Sequence, residues 1–418
     1  FWNFLSWCNN TRTGCPPSLK AAIASQKDHK ESHQMQKRDF MAITGLNWSP
    51  IRRDQFLSTI PRMVIKPIAA AYPPLGHWVF ESGAIQAKWE NHITRGPQPN
   101  KRKKQLPMMA LNPALLAFNV DASESWIFVT TQGELVAIIL RDFCTSKEAL
   151  AWLDAVVLET VGVWKSIRLE DPGKLVQVGY LAGSHSLPKF DWVKNLLSAQ
   201  HTPEVVEAMN VKASLACAFV WNLICLRLPT EVIEDFEKFI TDAKLVHMDA
   251  DSLMAEAAGK GVYTVNIGED QFNFHKAELT PATGVFAENY SRLYKLLETR
   301  FRAMHHKHQP HKFAVSLTTE RSAGAEAGGH FFISKYGIQI HGAPNTLVVW
   351  ISSEPHGTSL QDFSPQGKEP DFSQRGIAFV TPSQLKSVWE QYKLKLVDQA
   401  GAMEALYGRE ARGSEIFE

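Results

Sequence analysis

The chain has 418 residues and a formal net charge of +1, so no global field draws it to nucleic acid or to an anionic membrane. Apolar residues make up 44% of it and there are twelve Trp, enough to fold most of the chain as one elaborated domain or two. The five cysteines, Cys8, Cys15, Cys144, Cys217 and Cys225, are odd in number and lack a CxxC pair. That argues against a disulfide framework or a zinc module and for a reducing, intracellular compartment.

In chain order, residues 1–40 are polar and charged ("SQKDHKESHQMQKRD") and read as a mobile lead-in. The opening "FWNFLSW" has no Met and is too short for a signal peptide, as expected of a fragment. Residues 41–255 read as an α+β portion. Its early, Pro-rich part carries "GPQPNKRKKQLP". The Lys101–Lys104 run has two readings, a nuclear-import or phosphate-contacting patch and a solvated loop.

From Trp126, "WIFVTTQGELVAIILRD" is a hairpin pattern. "SKEALAWLDAVVLETVGVW" follows as a helix, with Ser146 placed to cap it. "LVQVGYLAG" is a strand, and helices start at "TPEVVEAM" and "LPTEVIEDFEKFITDA". "ASLACAFVWNLICLRL", from Ala213, is broken by Asn222 and Arg227 and reads as a buried helix. No uninterrupted apolar run reaches the roughly 18 residues of a membrane span.

Residues 256–390 turn to β: "VYTVNI", "FAVSLTT", "GGHFFISKYGIQIHG", "NTLVVWISS" and "GIAFVTP", with a helix expected over residues 289–302. Short strands between Gly/Pro turns predict a β-sandwich or jelly roll, here a double-stranded β-helix. The expected class is α+β, with that core C-terminal and the earlier helices and strands packed around it. Residues 391–418 continue a C-terminal helix and tail.

The candidate chemistry lies in this β region. "HHKHQPHK" places four histidines within seven residues, just before "FAVSLTT". His356 follows the apolar strand "TLVVWI", and Arg375 begins "RGIAFV". A non-haem iron site needs two histidines and a carboxylate with open positions, and a nearby Arg pairs bidentately with an oxo-acid carboxylate. His330 and His341 read as structural or rim residues. His275, Tyr290 and Arg292 are placed to line a substrate mouth.

The order of these features resembles the core of Fe(II)/2-oxoglutarate dioxygenases: His-rich turn, strand, "GGHFFISKYGIQIHGAPNTLVVWISSEPHGTSL", then "RGIAFV". Within them it is most similar to fungal proteins related to the TET and base-J-binding oxygenases, over the last third of the chain. The resemblance implies Fe(II) and 2-oxoglutarate as cofactors and a methylated base in nucleic acid as substrate. It implies His356 as the distal iron ligand, Arg375 as the 2-oxoglutarate anchor, and His305 or His308 as further ligands. One departure stands out. The proximal His-x-Asp motif reads either His305-x-Lys307 or His306-x-His308, and neither register supplies a carboxylate. A lysine is no ligand while protonated, whereas a third histidine is. The rival reading is a binding module on the oxygenase fold, with DNA or a protein as partner and no metal chemistry. A third is a structural protein with incidental histidines.

Overall fold

The computed structural model describes residues 50–95, 106–164, 174–184, 187–192, 201–245, 247–248, 262–275, 283–288, 303–307, 309–364 and 374–397. The first part runs α1 (Pro50–Thr59), β1 (Arg62–Val64), β2 (Trp78–Phe80), α2 (Gly83–Arg95), β3 (Met108–Ala110) and β4 (Phe118–Val120). The predicted hairpin is β5 (Trp126–Val129) with β6 (Leu135–Leu140), and the predicted helix is α3 (Lys147–Val163). Ser146 caps α3 as expected, its hydroxyl accepting from the Ala149 N–H at 3.1 Å. After β7 (Lys174–Ser184) and β8 (Leu187–Trp192) come α4 (Pro203–Arg227) and α5 (Thr230–Ala243).

The β-rich part holds β9 (Val262–Ile267), β10 (Asp270–His275), β11 (Thr283–Glu288), β12 (Phe313–Arg321), β13 (Phe331–Ile333) and β14 (Ile338–Ile340). It continues with β15 (Thr346–Ile351), β16 (His356–Thr358), β17 (Gln374–Phe379) and α6 (Leu385–Lys393). The helix expected at 289–302 and the Lys101–Lys104 run lie outside the described residues. The C-terminal helix stops at Lys393, earlier than its composition suggests. Lys395 takes a left-handed conformation (φ 57°), which ends the regular turn.

A nine-stranded sheet in the order β1-β5-β6-β15-β12-β17-β11-β7-β8 forms the centre of the molecule. Four strands from after residue 255 form a block flanked on both sides by strands from before it: β6 pairs with β15, and β7 with β11. Each face of the sheet is covered. In β12, Phe313, Val315 and Leu317 point to the helical layer, while Ala314 points the other way. The helical side buries Leu153, Val157, Phe219 and Phe236 of α3, α4 and α5. The other side meets a four-stranded sheet, β16-β13-β14-β4, through Phe128, Ile139 and Trp350 against Ile333, Ile338 and Ile340. Three layers result: helices, large sheet, small sheet.

The six residues of β6, "LVAIIL", are all buried, because Leu135, Ile138 and Leu140 face the helices while Val136, Ala137 and Ile139 face the small sheet. Residues Glu204–Arg227 of α4 are long and apolar enough to cross a membrane, yet 78% of their apolar window is buried within the fold. Pro203 opens α4 at a position that tolerates a missing N–H, and Thr202 makes no side-chain cap bond.

Candidate functional site

Antiparallel pairing of β12 with β15 sets Phe313 opposite Ile351, so the chain entering one strand lies beside the chain leaving the other. The His-rich turn therefore packs along residues 351–356. The Ser352 N–H donates to Lys312 O at 2.8 Å, and His306 Nδ1 to Ser353 O at 3.0 Å. His305 and His356 then close an antiparallel bridge, each backbone N–H donating to the other's carbonyl at 2.9 Å. In such a pair the side chains leave on one face, and the two imidazole centroids are 4.6 Å apart.

His356 projects between the two sheets and is 5% exposed. Its ring lies 5.5 Å from Trp350 and 5.9 Å from Phe331. Both histidines are oriented from behind by backbone. His305 Nδ1 is 3.0 Å from Ala303 O, and His356 Nδ1 is 2.7 Å from Glu354 O. A carbonyl only accepts, so each Nδ1 carries a proton, and in the neutral form of such a ring the lone pair is on Nε2. Metal-binding imidazoles are held this way. Burial drives the His356 pKa down to about 4, the Glu354 carbonyl works against this, and the Lys307 and His306 charges lower it further.

The third position does not fit iron. Lys307 follows His305 by two residues, where a carboxylate would stand, and its charge reaches His356. An ammonium has no lone pair to give and repels a dication. Among the described residues no three His, Cys, Asp or Glu side chains stand together as a metal group. His308 lies outside the described residues.

Arg375 is not brought to the two histidines. In β17 it shares its face with Ile377 and Phe379, which belong to the helical side of the sheet. There Arg375 Nε and Nη2 donate to Asp154 Oδ1 and Oδ2 of α3 at 2.9 and 2.6 Å. Thr319 adds a third bond to Asp154 Oδ1 at 2.9 Å. His311, the fourth histidine of the run, also faces the helices. It lies 4.0 Å from the Phe236 ring, donating from Nδ1 to Phe313 O and accepting at Nε2 from the Thr381 hydroxyl. Burial takes its pKa to about 4.

A second polar cluster lies on the outer face of the small sheet, under α2. Glu81 accepts from the Ser359 hydroxyl and from Gln339 Nε2 (3.1 Å), and His330 Nε2 stands 3.5 Å away. His330 donates from Nε2 to Ala325 O at 2.8 Å and accepts at Nδ1 from the Gly342 N–H at 3.0 Å. His341 stacks on it at 4.5 Å. Burial raises the Glu81 pKa and lowers that of His330 to about 3. With both ring nitrogens used, His330 is a structural histidine, in keeping with its sequence. Tyr290 and Arg292 lie outside the described residues, and His275 ends β10 opposite Val262.

Sequence reasoning missed Asp154, Glu81 and Trp350. A signal existed for the first: Asp154 sits at helical spacing with Val157 and Val161 on the apolar stripe, where an acid demands a partner. Glu81 gave none, since its partners Gln339 and Ser359 lie 258 and 278 residues further along the chain.

No family model matches the chain, and no curated protein matches it. Among solved structures, NgTET1 in complex with 5mC DNA is similar over 73% of this chain and 89% of that one, at 10% identity and a TM-score of 0.38. IDO from Bacillus thuringiensis is similar over 59% of this chain and 88% of its own, at 10% identity and a TM-score of 0.25.

Proposed function

We propose that the protein is an oxygenase-type double-stranded β-helix whose iron centre has lost its carboxylate, and that it works as an intracellular binding module. The strand order supports the fold. β11-β17-β12-β15 make one sheet of the jelly roll, and the His305 bridge with β16-β13-β14 makes the other. One observation carries the functional half: Lys307 stands two residues after His305, the partner of His356 across the bridge. The pairing of Arg375 with Asp154 agrees with it, because the expected 2-oxoglutarate anchor is engaged on the far face of the large sheet. Nucleic acid is the proposed partner, on the resemblance of the last third of the chain and the Lys101–Lys104 run.

The competing reading is an active Fe(II)/2-oxoglutarate dioxygenase with a three-histidine site in the His306-x-His308 register. Calorimetry with Co(II) as the iron surrogate separates the two. The wild-type protein is expected to show no stoichiometric binding tighter than about 100 μM. Binding that His308→Ala abolishes would establish the competing reading instead. DNA binding is tested by its salt dependence. Affinity should fall steeply with salt, and neutralising Lys101–Lys104 should flatten that slope.

A further inference from the structure

We infer that the protein carries a second binding site, at the open edge of the large sheet, which takes the carboxyl terminus of a peptide. That peptide ends in an apolar residue and has a cation two residues upstream. The site lies on the helical side of the large sheet, across it from His356, and does not depend on that centre. Among the described strands β1 stands at the edge of the sheet and pairs only with β5. The Ile127 N–H donates to Pro61 O and the Ile65 N–H to Val129 O, so residues 61 and 65 turn these groups to β5. By alternation the N–H and C=O of Arg62 and Val64 point outward. Such an edge is a template for an incoming extended chain.

Against that edge opens a cavity of about 440 Å³, where α1, the β5–β6 hairpin and the start of α5 meet. Its volume suits an organic group rather than an inorganic ion. Leu57, Val129 and Leu135 give it an apolar floor, and Arg62, Asp54 and Glu231 give it charge. Met63 and Ile65 pack toward the small sheet, which turns the Arg62 and Val64 side chains to the cavity's side. Among the described residues the Arg62 and Glu231 side chains make no hydrogen bond or ion pair, so they stand apart across the cavity they share. Asp54 meets only Arg53 Nε, at 3.9 Å. A ligand spanning these groups needs an anion for Arg62, a cation for the acids and an apolar body between. The end of an extended peptide supplies all three. Its carboxylate meets the Arg62 fork, its last side chain the floor, and the residue two places earlier, on the same side, the acids. Val64, 60% exposed, is covered by the added strand. Two acids outnumber one arginine here, which disfavours a phosphodiester in the same place.

The test is calorimetry of the full chain with the peptide acetyl-Ala-Lys-Ala-Leu as its free acid. It should saturate with a dissociation constant below about 1 mM. The carboxamide of the same peptide, and a version with Glu for Lys, should each bind about tenfold more weakly. Arg62→Gln should bind acid and amide alike. Glu231→Gln with Asp54→Asn should erase the preference for Lys over Glu. Val64→Pro removes an outward N–H that an edge strand can spare, and should weaken binding several-fold with an unchanged circular dichroism spectrum. No saturable binding, or an acid-over-amide preference that survives Arg62→Gln, overturns the inference. Equal affinity for a peptide extended beyond the leucine also overturns it, because the occupant is then an internal segment. None of these outcomes touches Co(II) or DNA binding, so the reading of the His305–His356 centre stands or falls separately.

Discussion

Asp154 and Arg375 tie α3 to the large sheet through two charges that are each less than one-fifth exposed. Removing one partner strands the other, a loss of about 3–5 kcal/mol for buried pairs, whereas replacing both with apolar groups comes near neutrality. Asp154→Ala is therefore expected to lower urea-unfolding stability by about 3 kcal/mol, and Asp154→Leu with Arg375→Met to recover most of it. A single-variant loss below about 1 kcal/mol would show that the pair contributes little. The buried histidines set a pH dependence. His311 and His330 titrate at about 4 and about 3 when folded, against an ordinary 6.5. The unfolded chain thus binds protons that the native state refuses, and stability falls as pH drops from about 6.5 toward 4. Each group contributes a slope of up to about 1.4 kcal/mol per pH unit. Glu81, whose folded pKa is raised, works in the opposite sense as pH rises through the carboxylate range. His311→Gln should remove close to one proton's worth of slope in denaturation curves taken from pH 7 to 4.5.

At the scale of elements, the small sheet depends on close backbone approaches that only glycine permits. Gly328 has φ +67°, and a Cβ there would lie 2.2 Å from Leu360 O. Gly328→Ala should cost about 1–3 kcal/mol, through backbone strain and overpacking together. Gly83→Ala, where a Cβ meets nothing within 4 Å, is the matched control and should be near neutral. Elements set by neighbours in the chain were legible in the sequence. The Trp126 hairpin, the Ser146 cap and the strands of residues 313–379 each follow from local periodicity and a turn or cap. The resemblance, and not the strand pattern, set His356 and His305 in one site, and the bridge brings their rings to 4.6 Å. The orientation of Arg375 was not legible, because alternation fixes which residues share a face without saying which layer covers it.

Across the whole molecule, the sequence suggested a core beginning near residue 256, whereas the large sheet draws β1, β5, β6, β7 and β8 from before that point. Period-2 patterns carry no address for a partner strand, so pairings such as β6 with β15 could not be read in advance. Residues 256–418 expressed alone would leave one face of β12, β15 and β17 without α3, α4 and α5. That piece should show no cooperative unfolding by circular dichroism and should aggregate, whereas the full chain unfolds cooperatively. A well-dispersed amide spectrum from the piece would establish it as an autonomous unit.

The doubly buried "LVAIIL" of β6 has a cost during synthesis. Its partner β15 begins at Thr346, and residues 141–345, 345 − 140 = 205 of them, lie between the end of one strand and the start of the other. At about 5–20 residues per second, the ribosome delivers that partner roughly 10–40 s after β6 emerges. Through that interval a strand apolar on both sides has only β5 beside it. The nascent chain, rather than the finished molecule, is therefore the form in most need of a chaperone. Substitutions that slow translation between residues 141 and 345 should lower soluble yield while leaving the stability of purified protein unchanged.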